Sequence, residues 1–503
     1  MSASLGALIH IDGREVTATL RMATGVVVVG SGPAGATVAR RLAMHGLEVV
    51  VLEEGHHVTP DRFEASAVRA MASLYRDMGT SMALGSAPMP YLQGRAVGGT
   101  SVINGAISWQ FPREIHDAWI ERDPALAGAI AYESLAAAER ELEERLHVAP
   151  TASEIAGRKN LVMARGAEAL GIAHRPIRRN ADGCRGSGRC LQGCPHGAKL
   201  SMDRTILPDA VEHGARIVSG VRVTRVLSDA KGAYGVLGTS AAGARVEVRA
   251  RHAVVLAASA IQTPVLLRAS GLSHGPVGDG LSAHPGVSVT GLFDDSVHNY
   301  RGATQGHEVT GLRHEGLKLE ALGFDLSILA SRIPGVGNEL ARRLADADRY
   351  AVHGAAIRAE ARGSVRPSPV GPVVRYSLTD ADVRKARRGV RRLGEVLLAG
   401  GAREVYPGVP GFDSVVRDPA RMAAIEDEGP LDARAYSMSM THLFGTARMG
   451  SDPRTSVVRP DFRHHTTRRL YVADSSVFLT NLGVNPQIPI MAMAQLCADH
   501  IAV

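Results

Sequence analysis

Two polar residues near the end of the chain carry side chains that could act together on a hydroxyl group. His442 lies in the segment T-H-L-F-G-T-A-R-M-G, and Asn485 lies in L-G-V-N-P-Q. A neutral imidazole can accept a proton near pH 7, and a carboxamide can donate a hydrogen bond to the same oxygen. The chain has 20 histidines, so this pair gains meaning only from the segments that surround it.

A glycine-rich loop near the start of the chain predicts a dinucleotide-binding site. Residues 30–35 read G-S-G-P-A-G, which fits the pattern G-x-G-x-x-G. Residues 26–29 predict a buried strand before the loop, residues 34–45 a helix after it, and residues 49–52 a second strand. Glycines at these positions permit a tight turn, close approach to a pyrophosphate and close packing of helix on strand. Glu53 ends the second strand, where a carboxylate can bind ribose hydroxyls.

Further segments resemble those of the glucose–methanol–choline (GMC) oxidoreductases. They are G-R-A-V-G-G-T-S at 94–101 with N-G at 104–105, S-A-I-Q-T-P-V-L-L-R-A-S-G at 259–271, G-D-G-L-S-A-H-P at 278–285, and the two C-terminal segments. They follow one another in the family's order. The resemblance implies bound FAD and a His-Asn pair of the kind found in sterol and some aryl-alcohol oxidases.

The resemblance also implies roles for individual residues. His442 is expected to be the catalytic base and Asn485 its partner, with the hydride passing to flavin N5 to give an aldehyde or ketone. Val223 is expected to meet the adenine through its backbone, and Asp474 the ribityl and phosphate end. The full set of expected cofactor-binding residues is Gly30, Gly32, Pro33, Ala34, Gly35, Glu53, Glu54, Arg95, Gly98, Gly99, Thr100, Asn104, Gly105, Val223, Asp474, Asn485, Pro486 and Gln487.

The expected fold class is α/β, with a Rossmann-type FAD-binding domain that is discontinuous in sequence and an α+β substrate domain of sheet and helices. Residues 1–150, 201–295 and 441–503 are assigned to FAD binding. Residues 151–200 are assigned to an insertion of the substrate domain, and residues 296–440 to that domain itself. Residues 215–226 predict a single strand within the FAD-binding part. Trp109 and Phe111 are candidates for the wall of the substrate pocket or for plain packing, and His284 is expected at a turn or on the surface.

Three cysteines lie close together in a loop. Cys184, Cys190 and Cys194 have the spacing C-x5-C-x3-C, and three close thiols could hold an iron–sulfur cluster. The loop resembles that of FAD-dependent glucose dehydrogenases with a three-iron cluster, but it lacks the adjacent cysteine pair of those proteins. It also resembles cysteine-bearing loops of long-chain alcohol and sterol-oxidising members. We therefore expect reduced structural thiols, with the cluster as the alternative.

Composition narrows the range of partners. The net charge of +7 could attract nucleic acid or an anionic membrane, yet aromatic residues make up only 4% and no nucleic-acid motif is present. No run approaches the roughly 18 apolar residues that span a membrane. The expected partners are a small-molecule alcohol and oxygen or another electron acceptor, without nucleic acid or a membrane span. No secretory signal is found, so the expected location is the cytoplasm.

These observations predict an FAD-dependent alcohol oxidase or dehydrogenase. The substrate could be a sugar or aminoglycoside-type alcohol, or a sterol or long-chain alcohol. A cationic sugar would need acidic groups, which residues 294–295 and 426–428 could supply. Two alternatives stay open, a non-redox hydroxynitrile lyase that holds FAD and the flavin subunit of an electron-transfer dehydrogenase with an iron–sulfur cluster.

Overall fold

The computed structural model describes residues 8–502 of the chain. The predicted segments 1–150 and 441–503 include residues 1–7 and 503, which lie outside this range. Within the range, no helix combines the length and the apolar composition needed to span a membrane.

An eight-stranded sheet forms around the predicted β-α-β unit. Strand Leu20–Val29 is followed by helix Pro33–Met44 and strand Val49–Leu52, and the two strands pair in parallel with Val26 opposite Val49. Side chains 26–28 are fully buried, because helices and loops cover both faces of a parallel sheet. The predicted α/β class with a Rossmann-type domain is confirmed. In spatial order the strands are Ile11–Asp12, Arg216–Ser219, Val49–Leu52, Leu20–Val29, Arg245–Leu256, Gly232–Ser240 and Val221–Asp229, with Leu470–Val472 beside Arg245–Leu256.

The predicted strand 215–226 is two strands. Arg216–Ser219 lies among the parallel strands, whereas Val221–Asp229 forms the opposite edge of the same sheet. Gly220 between them has φ 64°, a left-handed backbone conformation that glycine adopts without steric cost. The chain therefore leaves the first strand at this glycine and begins a new one.

A second sheet of eleven strands draws on distant segments of the chain. Its long central strand, Asp279–Leu292, pairs with strands that follow it by more than fifty residues. In spatial order its strands are Met89–Pro90, Met82–Leu84, Gly371–Arg375, Gly363–Ser368, Asp279–Leu292, Tyr350–Ile357, Leu317–Leu322, His307–Val309 and His174–Pro176, with Glu404–Tyr406 and Ser439–Phe444 beside Asp279–Leu292. The second sheet thus also includes strands from the predicted FAD-binding segments 1–150, 201–295 and 441–503. The other bounds of the predicted segments stay a prediction.

Helices cover the sheets, and a two-stranded sheet of Val148–Pro150 and Arg178–Asn180 lies apart from them. The α-helices are Pro33–Met44, Ala67–Leu74, Arg113–Arg122, Tyr132–Arg145, Ser153–Ala156, Arg158–Ala169, Ile206–Glu212, Ser259–Ala269, Leu326–Ala330, Gly337–Leu344, Asp380–Ala399, Pro419–Ala423, Ile425–Glu428 and Gln487–Ala502. The first and last of these pack on one another beside the first sheet. The C-terminal helix thereby returns the chain to the Rossmann unit, as the predicted discontinuous domain requires.

Candidate active site

A cavity of about 890 Å³ lies between the two sheets. Val29 and Leu52, at the ends of parallel strands, line one side, and residues 286–288 and 354–356 of the second sheet line the other. Ligands of open α/β sheets bind at the carboxyl ends of parallel strands. The cavity therefore lies where a dinucleotide is expected.

The first glycine loop is built for close approach of an anion. Gly30 has φ 101°, and a Cβ at Gly35 would overlap the carbonyl oxygen of Gly30. Helix Pro33–Met44 begins without a side-chain cap and without an acidic residue in its first turn. Its first N–H groups are thus free to bind a phosphate, which the helix dipole also favours.

Glu53 and Glu54 both line the cavity, but their carboxylates have different partners. The oxygens of Glu53 accept hydrogen bonds from Ser31 (N–H 2.9 Å, Oγ–H 2.7 Å) and from the Gly55 N–H (2.8 Å). Glu54 forms an ion pair with Arg76 at 2.7 Å. Glu53 therefore already holds the glycine loop in shape, and any bond to a ribose would be additional.

The second glycine loop lies against the first. A Cβ at Gly99 would come within 2.7 Å of Cα of Gly32, so only two glycines permit this approach. Asn104 donates to Oε1 of Gln487 (2.5 Å), and Nε2 of Gln487 is buried without a hydrogen-bond partner among residues 8–502. A buried amide of this kind costs free energy unless a partner satisfies it, and both side chains line the cavity.

Most of the predicted cofactor residues line this one cavity. They are Gly30, Gly32, Pro33, Ala34, Glu53, Glu54, Gly99, Thr100, Asn104, Gly105, Val223, Asp474, Asn485, Pro486 and Gln487. Paired glycines, free helix N–H groups and an unsatisfied amide together fit the elongated, anionic FAD. Gly35, Arg95 and Gly98 do not line it: Gly35 packs helix on strand, Arg95 is exposed, and the Gly98 N–H donates to Ser31 Oγ (3.0 Å).

Asp474 lines the cavity and holds two neighbouring segments in place. Its Oδ2 accepts from the Ser259 N–H (3.1 Å) and from the Thr263 hydroxyl (2.5 Å), and its Oδ1 accepts from the Ser476 N–H (2.8 Å). Burial raises the pKa of this carboxyl, while the hydrogen bonds oppose the rise. Asp474 thus ties the start of helix Ser259–Ala269 to the segment that leads toward Asn485.

His442 and Asn485 line the same cavity. His442 lies on strand Ser439–Phe444, and Asn485 lies just before helix Gln487–Ala502. Oδ1 of Asn485 accepts a hydrogen bond from the ammonium of Lys318 at 2.7 Å. Because the amide oxygen is held by the lysine, the amide NH₂ is the group left to donate to a ligand.

His284 lies beside His442 and fixes where the two rings carry their protons. Nε2 of His284 accepts from the Gly483 N–H at 2.8 Å, and the Nδ1 atoms of the two rings are 3.1 Å apart. A neutral His284 must therefore carry its proton on Nδ1 and donate it to Nδ1 of His442. A neutral His442 then holds its own proton on Nε2.

Burial keeps both imidazoles neutral. Burial, with a smaller contribution from the Lys318 charge, lowers the pKa of His442 to about 3. Burial likewise lowers the pKa of His284, and the neighbouring His442 adds to the effect. Neither ring is charged near pH 7. The proton positions within the pair therefore depend on the tautomer of each ring.

The prediction that His284 lies at a turn or on the surface is wrong. Strand Asp279–Leu292 carries it into the interior, where only 3% of its surface is exposed. Lys318 and Glu320 were not predicted either, although Glu320 lines the cavity. His284 lies in a segment that resembles the family, and this is an indirect sequence signal for a role at the site. No motif in the sequence includes Lys318.

Trp109 and Phe111 pack away from the cavity, and neither lines it. The Trp109 indole N–H donates to Glu308 (2.8 Å), and the Arg175 guanidinium lies 4.4 Å from the centroid of its ring. The Phe111 ring meets that of Trp119 edge-on at a centroid distance of 5.1 Å. Packing, the second of the two expectations, describes both residues.

The cysteine loop forms a separate cluster in which the thiols face a cation. Arg179 donates to Sγ of Cys190 (3.1 Å) and of Cys184 (3.8 Å). Although burial raises the pKa of the Cys190 thiol, Arg179 and Lys199 bring it below its ordinary value. Within residues 8–502, no three His, Cys, Asp or Glu side chains are arranged to hold a metal ion. Cys184, Cys190 and Cys194 as placed do not fit a cluster.

The acidic groups considered for a cationic sugar do not line the cavity. Glu426 pairs with Arg388 and Arg391, Asp294 pairs with Arg403, and Asp295 pairs with Arg158. They are surface ion pairs.

Comparisons with known proteins agree with this arrangement. Residues 71–286 and 359–494 match the two models for GMC oxidoreductase, and residues 28–66 match the NAD(P)-binding Rossmann-like domain. An uncharacterized GMC-type oxidoreductase of Mycobacterium tuberculosis is 37% identical over 99% of this chain and 78% of its own length. A long-chain-alcohol oxidase of Arabidopsis thaliana is 28% identical over 96% of this chain and 67% of its own length.

A solved structure of formate oxidase from Aspergillus oryzae, made to study the modification of its FAD, shares the fold. Its TM-score is 0.70 at 17% identity, with 95% of this chain and 98% of that chain covered. The paired glycine loops, the cavity between two sheets and the match along nearly the whole chain lead to one conclusion. The chain belongs to the GMC oxidoreductase family, FAD-dependent enzymes that act on CH–OH groups.

Proposed function

We propose that the chain oxidises a primary alcohol to an aldehyde, with His442 as the proton acceptor and Asn485 as the hydrogen-bond donor to the alcohol oxygen. The observation that carries this proposal is the convergence of both side chains on the cavity that the two glycine loops also line. The residues are 43 positions apart in sequence and come from different elements. A base, a donor and a cofactor site in one enclosure are what hydride removal requires.

The two side chains have distinct tasks. The Asn485 amide donates to the oxygen, and its orientation is fixed because Lys318 holds the amide oxygen. As the hydroxyl gives its proton to His442, the negative charge that builds on the oxygen is stabilised by this donor. When bound, FAD supplies the acceptor for the hydride.

His442 must change its hydrogen bonding to take the proton. With the His284 bond intact, its Nε2 carries a proton and can only donate. To accept at Nε2, His442 must hold its proton on Nδ1 and give up the bond to His284. Losing one neutral hydrogen bond costs about 0.5–1.5 kcal/mol, a small part of a typical catalysed barrier. His284 thus sets the resting tautomer of the base.

The lining of the cavity supports a long-chain alcohol as the substrate. Apolar side chains predominate beyond the glycine loops, namely Met71, Leu92, Ile103, Ile107, Leu191, Val287, Leu322, Phe324 and Ile328. Residues 294–295 and 426–428, the acidic groups considered for an aminoglycoside, do not line the cavity. The relative named as a long-chain-alcohol oxidase supports the same choice, and it supports molecular oxygen as the acceptor that completes the cycle.

The intracellular location stays a prediction and is proposed here as cytoplasmic. Its support is that Cys184, Cys190, Cys194 and Cys497 are all free thiols. Free thiols are the rule in a reducing compartment.

Anaerobic mixing of the FAD-loaded protein with alcohols tests the proposal. Primary alcohols of increasing chain length should bleach the flavin absorbance near 450 nm, with kcat/KM rising about fourfold for each buried methylene, the equivalent of roughly 0.8 kcal/mol. A cyanohydrin cleaved without any change in absorbance would instead indicate a lyase. Reduction that proceeds but reverses only with a partner cytochrome, and not with oxygen, would indicate an electron-transfer subunit.

A further inference from the structure

Lys318 is a buried cation directly behind the proposed alcohol site. Only 1% of its side chain is exposed, and it does not itself line the cavity. Its ammonium lies within hydrogen-bond distance of three oxygens: Oε2 of Glu308 (2.8 Å), Oε1 of Glu320 and Oδ1 of Asn485 (2.7 Å). An ammonium has three N–H bonds and no acceptor. Each N–H therefore has one partner, and one of the three is the carboxamide of Asn485.

The second sheet fixes this arrangement. Glu308 and Glu320 are direct partners on neighbouring antiparallel strands, and Lys318 lies two residues before Glu320, so it projects from the same face. Two carboxylates opposite one another would repel, and the lysine between them removes that repulsion.

The two carboxylates are in turn held from their outer sides. The Trp109 indole (2.8 Å) and Arg175 (2.7 Å) donate to Glu308, and Gln305 donates to Glu320 (2.7 Å). The ammonium thus has little freedom to move, and its position is set by the sheet rather than by a loop.

We propose that Lys318 is a positioning residue for alcohol oxidation, holding the Asn485 carboxamide with its oxygen toward the lysine and its NH₂ toward the substrate oxygen. This inference rests on the proposed function. A carboxamide can rotate by 180°, and the reversed amide would present an acceptor where a donor is needed. A cation on the amide oxygen opposes that reversal and also polarises the amide, which strengthens its N–H groups as donors.

The competing explanation is that Lys318 only neutralises Glu308 and Glu320. Replacing the lysine alone would leave the Glu320 carboxylate without a cation and Glu308 with Arg175 as its one cation, which risks misfolding. The variant Glu320→Gln removes one negative charge and keeps the lysine beside Asn485. Comparing Glu320→Gln with Lys318→Met/Glu320→Gln therefore removes the ammonium from a site that already lacks one carboxylate.

The experiment measures the limiting rate of anaerobic flavin reduction for these two variants, each with Asn485 and with Asn485→Ala. With Asn485 present, loss of the lysine should slow reduction by about 30-fold or more, approaching the roughly 10²–10³-fold cost of removing a transition-state donor outright. With Asn485→Ala, the same change should slow it by less than about 3-fold, because residues that act through one another are not additive. FAD content and melting temperature are followed for all four proteins.

A second readout needs no turnover. The dissociation constant of trifluoroethanol, an alcohol that resists hydride loss, is measured from the change it causes in flavin absorbance. Loss of Lys318 should weaken this binding by about 10-fold with Asn485 present and leave it unchanged without Asn485. Lys159→Met removes another buried lysine, one that bonds the Arg301 carbonyl away from the cavity, and should leave both quantities within about 3-fold of the unaltered protein.

Equal slowing by loss of Lys318 in both Asn485 backgrounds would overturn the inference while leaving the proposed function intact. Equal slowing by Lys159→Met would also overturn it. If Asn485→Ala reduces as fast as its parent, the role of Asn485 itself fails, and the inference fails with it.

Discussion

At the scale of single residues, the chemistry depends on which nitrogen of His442 carries a proton. The backbone N–H of Gly483 dictates the tautomer of His284, and His284 in turn dictates that of His442. Sequence alone identifies His442 as a candidate base but gives no information on its tautomer. That property arises only when the strand bearing His284 and the segment bearing Gly483 meet in the folded chain.

The pH dependence of flavin reduction follows from the neutral state of His442. Since burial and Lys318 lower the pKa of His442 to about 3, the base form persists as the pH falls from 8 to 5. An imidazole with an ordinary pKa of 6.5 would lose about 30-fold in its neutral fraction by pH 5. We expect the limiting reduction rate to change by less than about 3-fold over this range.

Stopped-flow measurements at saturating alcohol check this prediction, with FAD content determined at each pH as the control. A reduction rate that falls with a midpoint near pH 6.5 while FAD stays bound would show that burial does not keep His442 neutral.

At the scale of elements, the local β-α-β unit was predictable and the second sheet was not. Residues 26–29, 34–45 and 49–52 carry continuous apolar or helical patterns joined by short turns, so each element is specified by its own residues. The central strand of the second sheet, Asp279–Leu292, pairs with segments up to about 160 residues away. No local pattern records such partners, so the sequence alone favours a turn or the surface for His284 and does not mark Lys318.

Gly35, the third glycine of the first loop, determines how closely helix Pro33–Met44 packs on the first sheet. A Cβ at Gly35 would overlap the Gly30 carbonyl oxygen and approach Cβ of Ala257 at 3.2 Å, so Gly35→Ala must push helix Pro33–Met44 off the sheet. We expect a loss of about 1–3 kcal/mol in the free energy of unfolding and a clear fall in FAD content. Thermal melting and the ratio of flavin to protein absorbance measure these two quantities.

Gly128→Ala is the matched control, because Gly128 is exposed and a Cβ there would meet no atom within 4 Å. It should keep the melting temperature and FAD content of the unaltered protein. If Gly35→Ala matches this control, the helix is not packed as closely as described.

At the scale of the whole molecule, the reaction site exists only because two sheets close on one cavity. The first sheet supplies the first glycine loop, against which the second loop lies. The second sheet supplies His284, the strand of His442 and the Lys318 cluster that holds Asn485. The sequence motifs predict the family and the cofactor site. The relation between base, donor and buried cation follows from long-range packing and could not be predicted from motif spacing.

The most direct test of the central claim is single-turnover flavin reduction by His442→Ala under anaerobic conditions. We expect the variant to retain FAD, since the His442 ring is hydrogen-bonded to His284 and not to the glycine loops. It should reduce the FAD about 10²–10⁴-fold more slowly than the unaltered protein. His314→Ala, which changes an exposed histidine outside the cavity, should reduce at the normal rate. A His442→Ala protein that binds FAD and is reduced within about 3-fold of the normal rate would contradict the assignment of His442 as the base.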